Sequence, residues 1–210
     1  MKRTEYRKSE FKFNFVEYLP EVKTSKMPLI IQLHGAGERG NGEDELHLVD
    51  KLGFSKHLEK NEYNCIFVMP QCENDSFWAA KVESIITFIE QMIEYYDADR
   101  DRVYLTGISM GGFGTWYTAM ARPDMFAAIA PVCGGGMDWT AAVLNMPIWT
   151  FHGADDNVVN PVYTELMVNK LTELGLDVKY TKLEGVQHNA WDYTFNEELA
   201  NWLLSKKRCK

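Results

Sequence analysis

The sequence predicts an α/β fold: one domain spanning residues 1–210, with a mostly parallel sheet covered by helices on both faces. Three observations carry that prediction. Short apolar or β-rich runs bounded by Gly or Pro alternate along the chain with helical patterns. No internal repeat, low-complexity segment or linker-like stretch interrupts the alternation. A hydrophobic content of 46% supplies a real core and excludes a disordered chain.

In chain order, "FKFNFVEYL" alternates at period two and reads as an antiparallel edge strand. The runs "PLIIQLHG", "CIFVMPQ", "RVYLTGIS", "AAIAPVCGG", "PIWTFHG" and "VKYTKLEG" read as the remaining strands. Helices are expected over 81–96, 111–121, 161–174 and 194–206. In the first of these, Ile85, Ile86, Ile89, Met92 and Ile93 form one apolar stripe. His47 and His57 fall in a polar, helix-like segment and read as surface residues. Cys65, Cys72, Cys133 and Cys209 show neither C-x-x-C nor zinc-ligand spacing, and Cys65 and Cys133 read as reduced core thiols. The terminal "SKKRCK" reads as a solvated basic fray.

A net charge of -8 argues against nucleic acid or anionic membranes as partners. No apolar run is long enough to span a bilayer. The basic N-terminus "MKRTEYRKSEFKFNF" lacks the apolar stretch of a secretory signal, so a cytoplasmic location is expected.

In sheets of this kind, function collects in loops leaving the carboxyl ends of the strands. There lies "VYLTGISMGGFGTW", in which Gly107-Ile108-Ser109-Met110-Gly111 spells G-x-S-x-G between a strand and a helix. A serine on so sharp a turn sits in strained backbone, and side chains two residues to either side would collide with the neighbouring strand and helix. Ser109 also lands at a helix N-terminus, where free N–H groups favour developing negative charge. A phosphate-loop reading fails because G-K-[ST] is absent.

A serine hydroxyl needs a base to take its proton. Of five histidines, His34 and His152 end strands before glycine and read as braces of loops beside a site. His188 follows the last strand, downstream of the serine and of an acid, and is the expected base. The imidazole needs a carboxylate to hold its tautomer. "FHGADDNVV" offers Asp155 and Asp156, which completes the order Ser, Asp, His.

With these residues in view, the chain resembles the α/β-hydrolases, in the group of small carboxylesterases, dienelactone-hydrolase-like, polyhydroxybutyrate-depolymerase-like and feruloyl esterases, and predicted prolyl-oligopeptidase-type peptidases. The matching stretches are "LHGAGERG", "DRDRVYLTGISMGGFGTW", "FAAIAPVCGGG", "FHGADDNVV" and "GVQHNAWDYTF". The resemblance implies an α/β-hydrolase fold and selects Asp156, four residues after the histidine of H-G-x-x-D. One departure is Asn160, where relatives often carry proline; here Pro161 follows one residue later.

Gly35, Gly37 and Gly40 also spell G-x-G-x-x-G, the mark of a dinucleotide loop. The following "ERGNGED" is a poor helix start, so the loop is read instead as one that holds a tetrahedral oxyanion. The donors would be the N–H of Met110, after the nucleophile, and that of Ala36, where the resemblance places the second. No cofactor and no metal are expected. Trp78, Trp191 and Phe113 are candidates for lining the substrate cleft, whereas Trp116 reads as core.

The expected activity is carboxylic ester hydrolysis on a small-molecule substrate. The alternatives are a peptidase or amidase using the same triad, and a non-catalytic binding protein on the same fold. Only "MDWTAAVLNM" separates two strands where many lipases insert a lid, so no large lid is expected, and short-acyl or aryl-type esters fit an open cleft.

Overall fold

The structure, a computed structural model, describes residues 1–7 and 10–208. Its strands are β1 (Lys2–Tyr6), β2 (Phe15–Leu19), β3 (Leu29–Leu33), β4 (Ile66–Pro70), β5 (Val103–Ile108), β6 (Ala128–Val132), β7 (Ile148–Gly153) and β8 (Val178–Leu183). Its α-helices are α1 (Ser55–Leu58), α2 (Val82–Tyr96), α3 (Met110–Ala121), α4 (Val162–Glu173), α5 (Trp191–Thr194) and α6 (Glu197–Leu204). Among the described residues the strands form one sheet in the order β1-β2-β4-β3-β5-β6-β7-β8. The pairs β1–β2 and β2–β4 are antiparallel and all others parallel. This is the α/β-hydrolase architecture.

The apolar runs dictate this layering. Strands β3 to β7 are buried at every position, as strands covered on both faces must be. One face carries α2, α3 and α4 through Ile85, Phe88, Ile89, Met92, Trp116, Met167 and Leu171. The other carries α1 and α6 through Phe54, Leu58, Leu199, Ala200 and Leu203. The α2 stripe differs slightly from expectation: Phe88 is fully buried, whereas Ile86 is only partly so. No helix among the described residues is long and apolar enough to cross a membrane.

One correction concerns the sheet edge. The strand expected at the edge, β2, is antiparallel but is covered by β1, with Lys2 opposite Leu19 and Tyr6 opposite Phe15. The "KRTEY" of β1 has no apolar periodicity to announce it; its pairing and its cross-links decide it. Arg3 pairs with Asp50 at 2.5 Å, and Asp50 also accepts from Tyr18 on β2 at 2.8 Å. A short, charged outer strand also blunts the edge against pairing with another chain.

Cys65, Cys72 and Cys133 are buried free thiols. Cys209 and the end of the basic tail lie outside the described residues.

Candidate active site

Ser109 sits between β5 and α3 with φ 52° and ψ −110°, a left-handed conformation that costs a non-glycine residue roughly 1–3 kcal/mol. Its surroundings hold it there. The Ser109 amide donates to the Val132 carbonyl at 2.9 Å, and the Ser109 carbonyl accepts from the Phe113 amide at 3.0 Å. The flanking glycines are required by close approach. A Cβ on Gly107 would lie 2.2 Å from the Gly111 carbonyl oxygen, and one on Gly111 would lie 2.1 Å from that of Leu33.

His188 stands in the loop between β8 and α5. That loop is laced to the one after β7: the Ala154 amide donates to Leu183 at 2.9 Å and the Asp155 amide to Val186 at 3.0 Å. The lacing brings Asp156 under His188, with Nδ1 2.6 Å from Asp156 Oδ2. On its other side, His188 Nε2 lies 2.9 Å from Ser109 Oγ. The structure therefore brings Ser109, His188 and Asp156 into one continuous hydrogen-bonded chain. Asp155, the other candidate acid, is exposed and outside it.

Asp156 is buried, and its second oxygen, Oδ1, accepts the amides of Val158 and Val159, each at 2.9 Å. Burial alone would raise its carboxyl, but the bonds from His188, Val159 and Val158 outweigh that and hold it below the usual range. With Nδ1–H committed to the carboxylate, His188 presents the lone pair of Nε2 to the serine hydroxyl. That is the arrangement a proton acceptor needs.

The glycine loop after β3 lies against the elbow. His34, fully buried, donates from Nδ1 to the Gly35 carbonyl at 2.6 Å, while its Nε2 accepts the Cys72 amide at 2.9 Å. Burial pushes His34 down to about 4, so the ring is neutral. The half-buried Glu38 carboxyl, which burial raises, lies beside Gly35. In a trans peptide C=O and N–H point oppositely. Fixing the Gly35 carbonyl on His34 therefore turns the Ala36 N–H the other way. Ala36 opens a short 3₁₀ turn (Ala36–Glu38) and Met110 opens α3, positions whose amides have no partner within the helix.

Trp78 does not line a cleft, contrary to expectation. It is 0% exposed, its Nε1 donates to the His34 carbonyl at 3.0 Å, and its ring packs on His34 and Phe13. It braces the loop from beneath, because the indole is large enough to fill the gap under β3 that Gly114 leaves. Trp191 is half-buried with its ring edge-on to His188 at 5.1 Å. Phe113 is half-buried and meets Tyr163 at 5.9 Å. Tyr163 escaped the sequence reading; its signal was its place in the first turn of α4, whose N-cap is Pro161. His47 and His57 lie in the segment between β3 and β4 and bond locally, to the Asp44 carbonyl and the Tyr63 hydroxyl.

Among the described residues, Cys133, Asp156 and His188 place possible metal-ligand atoms within 4.8 Å of one another. Two of the three are already bonded to each other, and burial pushes the Cys133 thiol up to about 12, so it offers a protonated sulfur. The trio is better suited to proton handling than to a cation. Between β6 and β7 there is only a 3₁₀ turn, Asp138–Val143, and no large lid.

Residues 63–203 match the phospholipase/carboxylesterase family. The bifunctional acetylxylan esterase/xylanase of Neocallimastix patriciarum is 30% identical over 148 residues, 68% of this chain and 21% of that protein. Feruloyl esterase B of Talaromyces stipitatus is 26% identical over 215 residues, 88% of this chain and 55% of its own. The crystal structure of a thermostable esterase superimposes with a TM-score of 0.80 at 30% identity, covering 99% of this chain and 63% of that one. The chain thus spans about a fifth to just over half of these two curated relatives.

Proposed function

The chain belongs to the phospholipase/carboxylesterase family of α/β-hydrolases; from that premise we propose that it is a serine esterase, cleaving short-acyl or aryl-type carboxylic esters through a Ser109–His188–Asp156 triad and a covalent acyl-enzyme. The observation that carries the reading is the unbroken chain from Ser109 Oγ to His188 at 2.9 Å and on to Asp156 at 2.6 Å.

Ser109 Oγ attacks the ester carbonyl carbon as His188 Nε2 takes its proton, and Asp156 stabilises the imidazolium that forms. The tetrahedral oxyanion is held by the N–H groups of Met110 and Ala36, with the N-terminus of α3 behind Met110. His188 then gives its proton to the departing alkoxide, which leaves as the alcohol. Water, deprotonated by the same imidazole, attacks the acyl carbonyl and releases the acid and free Ser109.

The substrate class rests on access. With no large lid, the proposed substrate path runs past Trp191, edge-on to His188, and past Phe113 and Tyr163, which meet each other between α3 and α4. Such a path suits acetyl to butyryl groups or a flat aryl acid, and the names of the acetylxylan and feruloyl esterase relatives include one of each.

Fluorophosphonate labelling, with hydrolysis of p-nitrophenyl esters from acetate to palmitate and of methyl hydroxycinnamates, tests both parts. Ser109→Ala is expected to abolish labelling and to lower turnover by on the order of 10⁶. Retention of more than about a hundredth of the activity would overturn the nucleophile. A clear preference for long-chain over butyrate esters would overturn the open cleft. Faster turnover of the matched anilides than of the esters would make it an amidase.

A further inference from the structure

The Asp156 carboxylate carries a second imidazole that the triad does not use. His152, fully buried near the end of β7, places Nε2 2.9 Å from the Val159 carbonyl and 3.2 Å from Asp156 Oδ2. Both neighbours can only accept, so Nε2 carries a proton. The hydroxyl of Thr164 on α4 has one proton for two acceptors, Nδ1 at 2.7 Å and the Gly134 carbonyl at 2.5 Å, and shares it between them. Burial holds the ring below the ordinary histidine range, so it works as a neutral donor.

We propose that His152 is a positioning residue for ester hydrolysis: its Nε2–H, shared between Asp156 Oδ2 and the Val159 carbonyl, locks the carboxylate in the orientation that serves His188 and limits how tightly that carboxylate holds an imidazolium. The proposal rests on the reading of Ser109, His188 and Asp156 as a triad.

The orienting effect follows from what can move. The terminal torsion of an aspartate is broad, so the carboxylate needs donors on both oxygens to stay in one plane. The amides of Val158 and Val159 hold Oδ1, and His152 ties the same loop by its Val159 carbonyl. On Oδ2 the other donor is His188, on a loop and half-buried. His152 is the rigid member, anchored on β7, a strand paired on both sides, and braced by α4.

The electrostatic effect has a definite sign. A donor on a carboxylate weakens its pull on any other proton. Without His152, Asp156 stabilises a protonated His188 more strongly, and the acid limb of kcat/KM moves to higher pH. The titratable groups facing the pair are few. The loop after β8 brings His188. The end of β6 brings Cys133, neutral because burial pushes its thiol up to about 12. β8 brings the Tyr180 phenol toward Cys133, also raised by burial and neutral. Lys182, opposite His152 on β8, pairs with Glu165 at 2.9 Å on the exposed side.

The test uses two substitutions that separate the two ring nitrogens. Glutamine reaches the position of Nε2, and asparagine only that of Nδ1. Steady-state kinetics from pH 5 to 9 on p-nitrophenyl acetate, with thermal unfolding and fluorophosphonate labelling as controls, read the outcome. His152→Gln is expected to stay within about threefold of wild-type kcat with its acid limb in place. His152→Asn is expected to keep KM, lose roughly tenfold in kcat, the scale of one hydrogen bond to a charged group, and move the limb up by about half a unit to one unit. If His152→Asn fails to fold, Thr164→Val, which loosens the Nδ1 side, is expected to shift the limb the same way. An unmoved limb in the folded variant overturns the proposal, as does equal impairment in both His152 variants. Asp156→Asn in the same assay separates the premise: an active Asp156→Asn ends the triad reading, whereas an inactive one beside a silent His152→Asn ends only the role of His152.

Discussion

Replacing Asp156 by asparagine exchanges one acceptor oxygen for a donor, and the hydrogen bonds around the carboxylate decide where that donor goes. Oδ1 faces the amides of Val158 and Val159, each at 2.9 Å. Those amides cannot tautomerise, and an –NH₂ in their place would leave donors opposed, at about 1–3 kcal/mol for each unsatisfied group. Oδ2 faces His188, whose imidazole can, and His152, whose Nε2–H keeps the Val159 carbonyl as its acceptor. The asparagine oxygen is therefore expected at the Oδ1 position and its –NH₂ at Oδ2, 2.6 Å from His188 Nδ1. His188 must then accept at Nδ1 and carry its proton on Nε2, pointing a donor at Ser109 Oγ. Two amides at about 1–3 kcal/mol each bias the population toward this unproductive tautomer by roughly one and a half to four decades. Losing the charge that stabilises the imidazolium adds to this, so a fall in kcat of about 10⁴ is expected, with KM little changed. The assay is p-nitrophenyl acetate hydrolysis at pH 7.5 on protein verified as folded by its near-UV spectrum. Retention of more than about a tenth of wild-type kcat would refute the reasoning, and so would a larger loss for the exposed neighbour in Asp155→Asn.

Other consequences concern stability and the cleft. Because His34 is held at about 4 in the fold, its neutral form stabilises the protein fully above about pH 6.5, and that contribution is lost as pH falls toward 4, by up to roughly 3 kcal/mol. Urea unfolding between pH 7.5 and 4.5 should therefore show a steeper loss in wild type than in His34→Gln; equal slopes would count against the buried neutral ring. Gly111→Ala, whose Cβ would meet the Leu33 carbonyl at 2.1 Å, is expected to cost more than about 3 kcal/mol or to abolish soluble expression. Gly37→Ala, with nothing within 4 Å, should leave the melting temperature nearly unchanged. Trp78→Ala should lose about 3–5 kcal/mol of stability as a core deletion, with KM unaltered in the folded fraction. Trp191→Ala should do the reverse, changing kcat/KM several-fold with a small effect on unfolding, and a large melting shift there would assign it to the core.

Much of the molecule is decided by local constraints that a linear sequence carries openly. Parallel strands covered on both faces must be apolar at nearly every position, so β3 to β7 stand out as unbroken runs. The elbow stands out because only glycine fits at Gly107 and Gly111 when strand, serine and helix crowd together. The order serine, acid, histidine is legible because Ser109, the Asp155–Asp156 pair and His188 each follow a recognisable strand, while the choice of Asp156 within the pair comes from the family resemblance. What the sequence could not express is partnership across the fold. β1 is a strand because β2 is there to pair with it, although its own residues, KRTEY, show no apolar periodicity. Trp78 looked like a cleft residue because it follows a strand's carboxyl end, and only packing against His34, Phe13 and Gly114 turns it inward. The same holds for His152. Four residues from Asp156 along the chain, it could be read as a loop brace. That its Nε2 shares Oδ2 with an imidazole from the far side of β8 is set by where β7, α4 and the His188 loop converge, because a hydrogen bond requires two atoms within about 3 Å in space, however far apart they lie in sequence.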